Sequence, residues 1–389
     1  MLHVLYLVHD LTDPAVSRRV AMLEAGGARV AVAGFRRDDR TSPARLGVSA
    51  PIDLGVTRDG KFAQRIAAVA AAALALRARL GGVDQPEIII ARHLEMLALA
   101  DRAKGLFPTR PAIVYESLDI HRLLLAENAF GRTMRAAERR FARHAQLLLT
   151  SSPAFLRGYF EPYGQLDAPT LLLENKVLDL DDRSPAKASR LPVPTSGKPW
   201  RIGWFGALRC ARSLDTLIDL ARRLDGRVEL VLRGRPAYDA IPDFDTLVEA
   251  APHVAFHGPY RNPDDLAAIY GEVHFNWAID LFEEGLNSEW LLPNRLYEGG
   301  RHGAIPIARA GTESARFLTG RGIGVVLDTC SADELVAVFS NLGAAGFAAH
   351  RARLDAIDPA TWTATRSDCE ALVARLSSLR PQPELRAAA

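Results

Sequence analysis

Two short segments carry side chains whose types and spacing suit chemistry. The stretch IVYESLDIH ends an apolar, strand-like run with Glu116, Asp119 and His121, three proton acceptors within six residues. A general base must lie within hydrogen-bond reach of the proton that it removes, so this segment is a candidate site of proton transfer. Asp is also a common cap and turn residue, and Asp119 could serve only that purpose.

The second segment, LLPNRLYEGGRHGAIPIA, places an acid in a short helical pattern just before a glycine turn and an apolar run. If Asn294 begins this helix, Glu298 lies on its first turns, where a carboxylate could accept two hydrogen bonds from a ribose diol. Arg295 could pair with a phosphate through its planar fork. The helix macrodipole also favours an acid near a helix start, so both interpretations stay open.

A third segment, GWFGALRCARSLDTL, is typical of a strand, a turn at Gly206 and a helix start. The unpaired amides and the positive dipole end of a helix bind anions such as a diphosphate, which Arg209 or Arg212 would neutralise. Glycine lets the backbone approach such a ligand closely. Arg235 ends the next strand and could face the same ligand, although charged strand ends are usually just exposed.

Alternating strand-like and helical segments must position these residues. Runs such as HVLYLVHD, EIIIAR and AQLLLTSS are continuously apolar, as buried parallel strands are, and helical patterns separate them. A second series of the same kind begins at RIGWFGAL. The sequence therefore predicts an α/β protein with two Rossmann-like, doubly wound domains, whose ligands bind in a cleft at the carboxyl ends of the strands.

The length of 389 residues suits two domains. We predict an N-terminal domain over residues 1–182, a linker rich in Pro, Ser and Lys over 183–199, and a second domain over 200–360. Residues 361–389 are expected to form a C-terminal helix and a frayed tail.

Composition argues against several classes of protein. A hydrophobic content of 48% with 24% charged residues indicates a globular protein, and a net charge of +2 gives no support for nucleic-acid binding. Three cysteines without metal-ligand spacing favour a reducing, cytoplasmic location. The N-terminus lacks a signal-peptide pattern, and the longest apolar run, residues 66–76, is shorter than the roughly 20 residues that span a bilayer.

An Ala-rich helix is predicted over Arg65 to Leu80, with arginines towards both ends. Such a helix most often packs on a sheet, because Ala is the best helix former and the polar face is thin. The alternative is an interfacial helix, which would bring the protein peripherally to the inner membrane.

The segments GWFGALRCARSLDTL, VAFHGPY and LPNRLYEGGRHGAIPIA resemble the C-terminal domain of GT-B glycosyltransferases, especially the large family of retaining sugar-nucleotide transferases. In that family a Pro-Asn-Lys-Leu-aromatic-Glu-Tyr segment precedes a glycine turn, whereas this chain has Arg295 for the Lys and Gly299 for the Tyr. The opening DLTDPAVSRRVAMLEAGGARVAVAGF is similar to the GT-B N-terminal domain. The resemblance extends from about residue 3 to residue 345.

The resemblance implies roles for residues of the second domain. Glu298 would bind the ribose of a donor nucleotide, and Arg212, with Arg209, would contact its diphosphate. The other residues expected to bind the donor are Gly206, Arg235, Asn294, Arg295 and Leu296. The loop DLFEEGLNSEW resembles the acidic, glycine-containing donor loop of the fold, although its acids do not show the usual spacing to Glu298.

The resemblance also implies a base in the first domain. The strand end at Asp119 is similar to that of the xanthan glucuronosyltransferase, an inverting enzyme whose Asp is the base. It is similar as well to a retaining type without a committed base, so the stereochemistry stays open. Glu116 and His121 are the other catalytic candidates, and the residues expected on the acceptor side are His9, Asp10, Arg92 and His93.

We therefore expect a glycosyltransferase that moves a sugar from a nucleotide sugar, expected to be a UDP-sugar, to a glycan or lipid-linked saccharide in bacterial exopolysaccharide synthesis. Neither a cofactor nor a metal is expected, because positive side chains can stabilise the diphosphate leaving group. The alternatives are a nucleotide-sugar 2-epimerase on the same fold and a non-catalytic module that binds nucleotide sugars.

Overall fold

The computed structural model describes residues 1–37, 50–58, 62–181, 191–194 and 198–379. The chain forms two compact units. Unit 1 comprises Met1–Leu173, Leu178–Leu180 and Ala364–Ala389, and unit 2 comprises Glu174–Val177 and Asp181–Thr363. Most of the predicted linker and the predicted frayed tail lie outside the described residues.

Unit 1 is built on a parallel sheet of seven strands. The strands are β1 His3–Val8, β2 Arg29–Arg36, β3 Ile52–Val56, β4 Ile88–Arg92, β5 Ala112–Ser117, β6 Ala145–Thr150 and β7 Thr170–Leu172. The helices between them are α1 Pro14–Ala25, α2 Phe62–Arg79, α3 His93–Ala103, α4 Arg122–Leu125, α5 Ala129–Ala142, α6 Pro153–Phe155 and α7 Glu161–Tyr163. A 3-10 turn spans Lys104–Leu106 and a π-helical turn spans Leu156–Phe160. Helices on both faces explain why the central strands β4 and β5 are buried throughout.

Unit 2 contains a parallel sheet of six strands. The six strands are β9 Trp200–Leu208, β10 Val228–Pro236, β11 Val254–Phe256, β12 Phe275–Trp277, β13 Ile305–Arg309 and β14 Val325–Leu327. The short strand β8 Val177–Leu178 precedes them in the chain and lies outside this sheet. The helices are α8 Ala211–Arg223, α9 Phe244–Glu249, α10 Leu266–Gly271, α11 Asn287–Trp290, α12 Asn294–His302, α13 Glu313–Thr319, α14 Ala332–Asn341 and α15 Ala344–Asp355. A 3-10 turn at Pro359–Thr361 and the strand β15 Thr363–Ala364 follow.

The two sheets share one topology. In unit 1 the order is β3-β2-β1-β4-β5-β6-β7, and in unit 2 it is β11-β10-β9-β12-β13-β14. In each, the first strand lies between the second and the fourth, which is the doubly wound order of a Rossmann fold. The chain leaves the sheet in opposite directions on either side of β1 and of β9, so loops diverge there and leave room for a ligand at the carboxyl edge. The predicted doubly wound architecture is confirmed.

The last helix, α16 (Arg366–Ser377), belongs to unit 1 and packs against α1. Its buried side chains Cys369, Leu372 and Leu376 join the core cluster that includes the apolar residues of β1 and α1. Gly26 ends α1 beneath this helix, where an added Cβ would collide with the carbonyl oxygen of Cys369. The C-terminal segment is therefore part of the N-terminal core.

The Ala-rich helix α2 packs beside β3 and α3 and buries Ala72 and Leu76. Its outer face keeps Ile66 and Leu74 exposed, with 55% and 80% of their surface accessible. No helix in the described part of the chain is long and apolar enough to cross a membrane.

Candidate donor and acceptor sites

The carboxyl edge of the unit 2 sheet requires glycine at two neighbouring positions. Gly206 in β9 and its register partner Gly234 in β10 have φ angles of +108° and +135°, which side chains strongly disfavour. A Cβ at Gly234 would collide with the carbonyl oxygen of Gly206. Sequence reasoning selected Gly206 alone, because the close approach of two strands is a tertiary feature.

Arg209 lies just beyond this turn and joins the first of two ionic clusters. Its Nη2 is 3.2 Å from Asp280 Oδ2, and its guanidinium lies 4.6 Å from the centre of the Phe282 ring. Arg295 lies 3.9 Å from the same carboxylate and donates to the carbonyl oxygen of Ile279 at 2.6 Å. Burial alone would raise the pKa of Asp280, but the charges of Arg295 and Arg209 outweigh it and lower that pKa. Two guanidinium groups are therefore held in place beside an ionised acid.

A second cluster surrounds Glu284 in the predicted acidic loop. Glu284 pairs with Arg212, at the start of α8, and its Oε1 lies 2.8 Å from Nη1 of Arg309. Arg309 also contacts Glu289 at 3.0 Å. Sequence reasoning missed Arg309, although it ends β13 at the edge where β9 and β12 also end. The sequence signal that could have identified Arg309 is a polar residue at the end of an apolar strand.

Glu298 lies on α12 with only 6% of its surface exposed. It accepts hydrogen bonds from Nδ2 of Asn262 at 2.8 Å and from the Tyr270 hydroxyl at 3.0 Å. Burial and then the Glu298 charge raise the pKa of Tyr270 well above its usual value, so the phenol stays a donor. An acid that is so nearly buried is held in place by hydrogen bonds from its neighbours rather than by solvent.

The remaining predicted donor residues differ in their surroundings. Asn294 is exposed at the first turn of α12, whereas Leu296 is fully buried in the unit 2 core and anchors the helix. Arg235 is exposed at the end of β10 and makes no ion pair with any described residue. Gly299 stands where an added Cβ would meet the Asn276 side chain, which donates to the Arg295 carbonyl oxygen at 2.6 Å. This packing accounts for glycine at that position.

In unit 1, Glu116 is completely buried beneath the carboxyl edge of the sheet. Its Oε1 lies 2.6 Å from Nε of Arg19, its Oε2 lies 3.7 Å from Nη1 of Arg92, and the Tyr6 hydroxyl donates to it. Burial alone would raise the pKa of Glu116, but Arg19 and Arg92 lower it. Arg92 in turn pairs with Asp13 at 3.1 Å. Glu116 and Arg92, predicted at catalytic and acceptor-side positions, therefore support each other in a buried network.

Other predicted residues gather above this network. Nδ1 of His93 is 3.3 Å from Oδ1 of Asp119, and the rings of His93 and His9 meet edge to face with centroids 4.7 Å apart. Asp10 accepts from the amide of Thr12 at 2.8 Å. The structure brings side chains that follow β1, β4 and β5 together, as expected for adjacent parallel strands.

His121 has a local role in this structure. Its Nδ1 accepts a hydrogen bond from the amide of Leu123 at 3.2 Å and caps the short helix α4. Burial, and then the charge of Arg65, lowers the pKa of His121, so the ring stays neutral and can act as this acceptor. The contacts of His121 support a role in capping α4.

The described residues contain no group of three or more His, Cys, Asp or Glu side chains arranged to hold a metal ion. The side chains at the unit 2 edge instead present guanidinium groups and one buried acid. This set is suited to an anionic ligand that also carries hydroxyl groups.

No protein-family model matches this chain. The succinoglycan biosynthesis protein ExoL of Rhizobium meliloti (strain 1021) is 55% identical to it over 385 residues, which cover 98% of this chain and 95% of ExoL. Sucrose-phosphate synthase of Thermosynechococcus elongatus has a TM-score of 0.69 and 13% identity, covering 97% of this chain and 98% of the synthase.

HepE of Anabaena, solved in complex with UDP, has a TM-score of 0.68 and 16% identity, covering 97% of this chain and 100% of HepE. At these identities the two solved structures show the fold, and they confirm the GT-B resemblance. The identity to ExoL, over nearly the whole of both chains, shows the family. The chain therefore has the GT-B fold and belongs to the family of the succinoglycan biosynthesis protein ExoL.

Proposed function

We propose that this protein is a glycosyltransferase that moves a sugar from a nucleotide-sugar donor to a saccharide acceptor in exopolysaccharide synthesis. The observation that carries the proposal is the carboxyl edge of the unit 2 sheet, where buried Glu298 and several paired arginines lie at the edge that binds ligands in this fold. Membership of the ExoL family supports the biosynthetic role, since ExoL is named for succinoglycan biosynthesis. HepE, which shares the fold, binds UDP and UDP-glucose.

In this proposal Glu298 accepts hydrogen bonds from the ribose hydroxyls of the donor. Arg209, Arg212 and Arg309 neutralise the diphosphate, and their ion pairs with Asp280 and Glu284 hold the guanidinium groups in place before the donor binds. Positive charge positioned at the leaving diphosphate stabilises the transition state. The reaction then requires neither a cofactor nor a metal, so transfer is expected to persist in EDTA.

The acceptor is a glycan or lipid-linked saccharide that approaches the carboxyl edge of unit 1. Of the two acids at the end of β5, Asp119 has an accessible side chain, 58% exposed, whereas Glu116 is fully buried. The enzyme would work in the cytoplasm, where nucleotide sugars are the donors, with peripheral contact to the inner membrane when the acceptor is lipid-linked.

A thermal-shift screen against UDP, GDP, ADP and their sugar derivatives tests the donor site. A ligand that binds only the folded protein at 100 times its Kd adds about 2.7 kcal/mol of stability, so Tm should rise by several degrees with one nucleotide. Glu298→Ala should abolish this shift. The matched control is Glu229→Gln, because Glu229 pairs with Arg201 at the opposite, amino end of β10.

Several outcomes would contradict the proposal. If no nucleotide raises Tm, the donor site is wrong. If the shift survives in Glu298→Ala, the ribose assignment is wrong. Conversion of a sugar nucleotide into its epimer without any acceptor would instead identify a 2-epimerase, and binding without turnover would identify a non-catalytic module.

A further inference from the structure

We infer that His93 removes the proton from the acceptor hydroxyl and that Asp119 orients His93, an assignment that rests on the proposed function. The inference is carried by the contact between Nδ1 of His93 and Oδ1 of Asp119, 3.3 Å apart, at the carboxyl edge of adjacent strands β4 and β5. It differs from the sequence-based hypothesis, in which Asp119 itself is the base.

The nearness of Nδ1 to the Asp119 carboxylate favours the tautomer that carries its proton on Nδ1. A neutral ring that presents Nδ1–H to a carboxylate has its lone pair on Nε2, and the carboxylate stabilises the imidazolium that forms. Within the described part of the chain, nothing hydrogen-bonds to Nε2 of His93, and 18% of its side chain is exposed. Nε2 is therefore available to a hydroxyl group that reaches this edge.

The backbone at His93 is strained in a way that serves this placement. His93 has a φ of +68° although it is not glycine, a conformation that costs on the order of 1–2 kcal/mol. The residue before it, Arg92, is anchored in the buried network with Glu116 and Asp13, and the ring of His9 packs edge-on against His93. These contacts hold His93 in a backbone conformation that a non-glycine residue disfavours.

The other candidates at this edge are less suited to accept the proton. Glu116 is fully buried, with both oxygens occupied by Tyr6 and Arg19. His121 uses Nδ1 to cap α4. Burial lowers the pKa of His9 well below the usual range, which makes it a weak base.

The proposed step is a direct displacement at the anomeric carbon of the donor sugar. As the acceptor oxygen bonds to the anomeric carbon of the donor sugar, its proton passes to Nε2 of His93. The bond between the anomeric carbon and the diphosphate oxygen breaks, and the electron pair leaves with the nucleoside diphosphate. His93 later returns the proton to water. Because the acceptor attacks opposite the leaving group, the anomeric configuration is inverted.

The test uses His93→Gly in the full-length protein, assayed with the nucleotide sugar found by the thermal-shift screen. Membranes from an exopolysaccharide-producing strain that lacks this protein supply the acceptor. Glycine accepts a φ of +68° without strain, so the variant should fold, and its Tm is measured beside that of the wild type. We expect kcat to fall by roughly 10²–10⁴, as for the loss of a general base, while the Kd for the donor stays unchanged. Added imidazole should restore part of the activity, which a merely structural role would not allow.

The control is His253→Gly. His253 also has a positive φ, +59°, and its Nε2 also lies 3.0 Å from an acid, Asp225, but it precedes β11 at the amino end of the unit 2 sheet. This control should keep wild-type kcat with or without imidazole. Asp119→Asn should lower kcat less than His93→Gly, because it removes the orienting group and not the base.

The assignment is overturned if His93→Gly keeps more than a third of the wild-type kcat, or if imidazole restores nothing. It is also overturned if Asp119→Asn is the more damaging change, which would make Asp119 the base, or if NMR shows a product with retained configuration. Each of these results leaves the proposed function intact. A wild-type protein that binds no nucleotide sugar and transfers none refutes the proposed function together with this assignment.

Discussion

Replacing Glu116 with glutamine tests whether this acid supports the fold or takes part in catalysis. Glu116 is fully buried, and its partners Arg19 and Arg92 each expose only 4% of their side chains. Glutamine is nearly isosteric but neutral, so two buried guanidinium groups lose their shared counter-ion. Removing one partner of a buried ion pair typically costs about 3–5 kcal/mol. For a unit of about 200 residues this corresponds to a fall in Tm of roughly 6–20 °C.

Glu138→Gln is the matched control for this change. Glu138 is equally buried in unit 1, but it accepts from the neutral groups Tyr115, Tyr159 and Gln165, at 2.6, 2.5 and 2.5 Å. The same substitution at Glu138 disturbs hydrogen bonds but leaves no charge unpaired. Disturbing such buried hydrogen bonds costs about 1–3 kcal/mol. Differential scanning calorimetry at pH 7 should therefore show the larger loss of Tm for Glu116→Gln.

The pH dependence gives a further check on Glu116. Since the folded-state pKa of Glu116 is lowered, its stabilisation is fully present above the unfolded-state pKa, about 4.3, and is lost as the pH falls through the folded-state value. The difference in stability between wild type and Glu116→Gln should shrink below that range. An equal or smaller loss than in Glu138→Gln, or a stable but inactive Glu116→Gln protein, would refute a structural role.

Two further predictions concern unit 2. Burial lowers the pKa of His274 to about 4, below the unfolded-state value of about 6.5. The neutral ring therefore contributes its full stabilisation above pH 6.5, and this contribution is lost as the pH falls towards 4. Wild type should lose about 2 kcal/mol more than His274→Gln between pH 7 and pH 5 in urea unfolding, and equal losses would contradict the argument. Gly234→Ala should lower Tm far more than Gly258→Ala, since both sites have positive φ but only the first brings a Cβ against the Gly206 carbonyl oxygen. Similar falls in Tm would mean that backbone strain, and not this collision, explains the glycine.

Local pattern was enough to predict the architecture of both units. Buried parallel strands appear as continuous apolar runs, and helical periodicity separates them, so the alternation could be recognised without long-range information. The same reasoning located Arg209 and Arg212, which follow an apolar strand at the edge where ligands bind. Glu298 was located by a short helical pattern that precedes a glycine turn and an apolar run. Their functional roles remain predictions, which the nucleotide screen and its variants address.

Other features depend on which strands are neighbours. Glu116 meets Arg19 and Tyr6, about 100 residues away in the sequence, because β5 lies beside β4 and β4 beside β1. The contact of His93 with Asp119 has the same origin.

The amino-acid sequence by itself determined the alternation of elements and the residue types at each strand end, because those are local properties. The tertiary structure alone decided which of those side chains meet, which are buried and which stay accessible. It also decided that Arg309 joins the Glu284 cluster and that the C-terminal helix returns to unit 1. The physical reason is that strand order and helix docking are set by the packing of a whole core, and no local pattern records that choice.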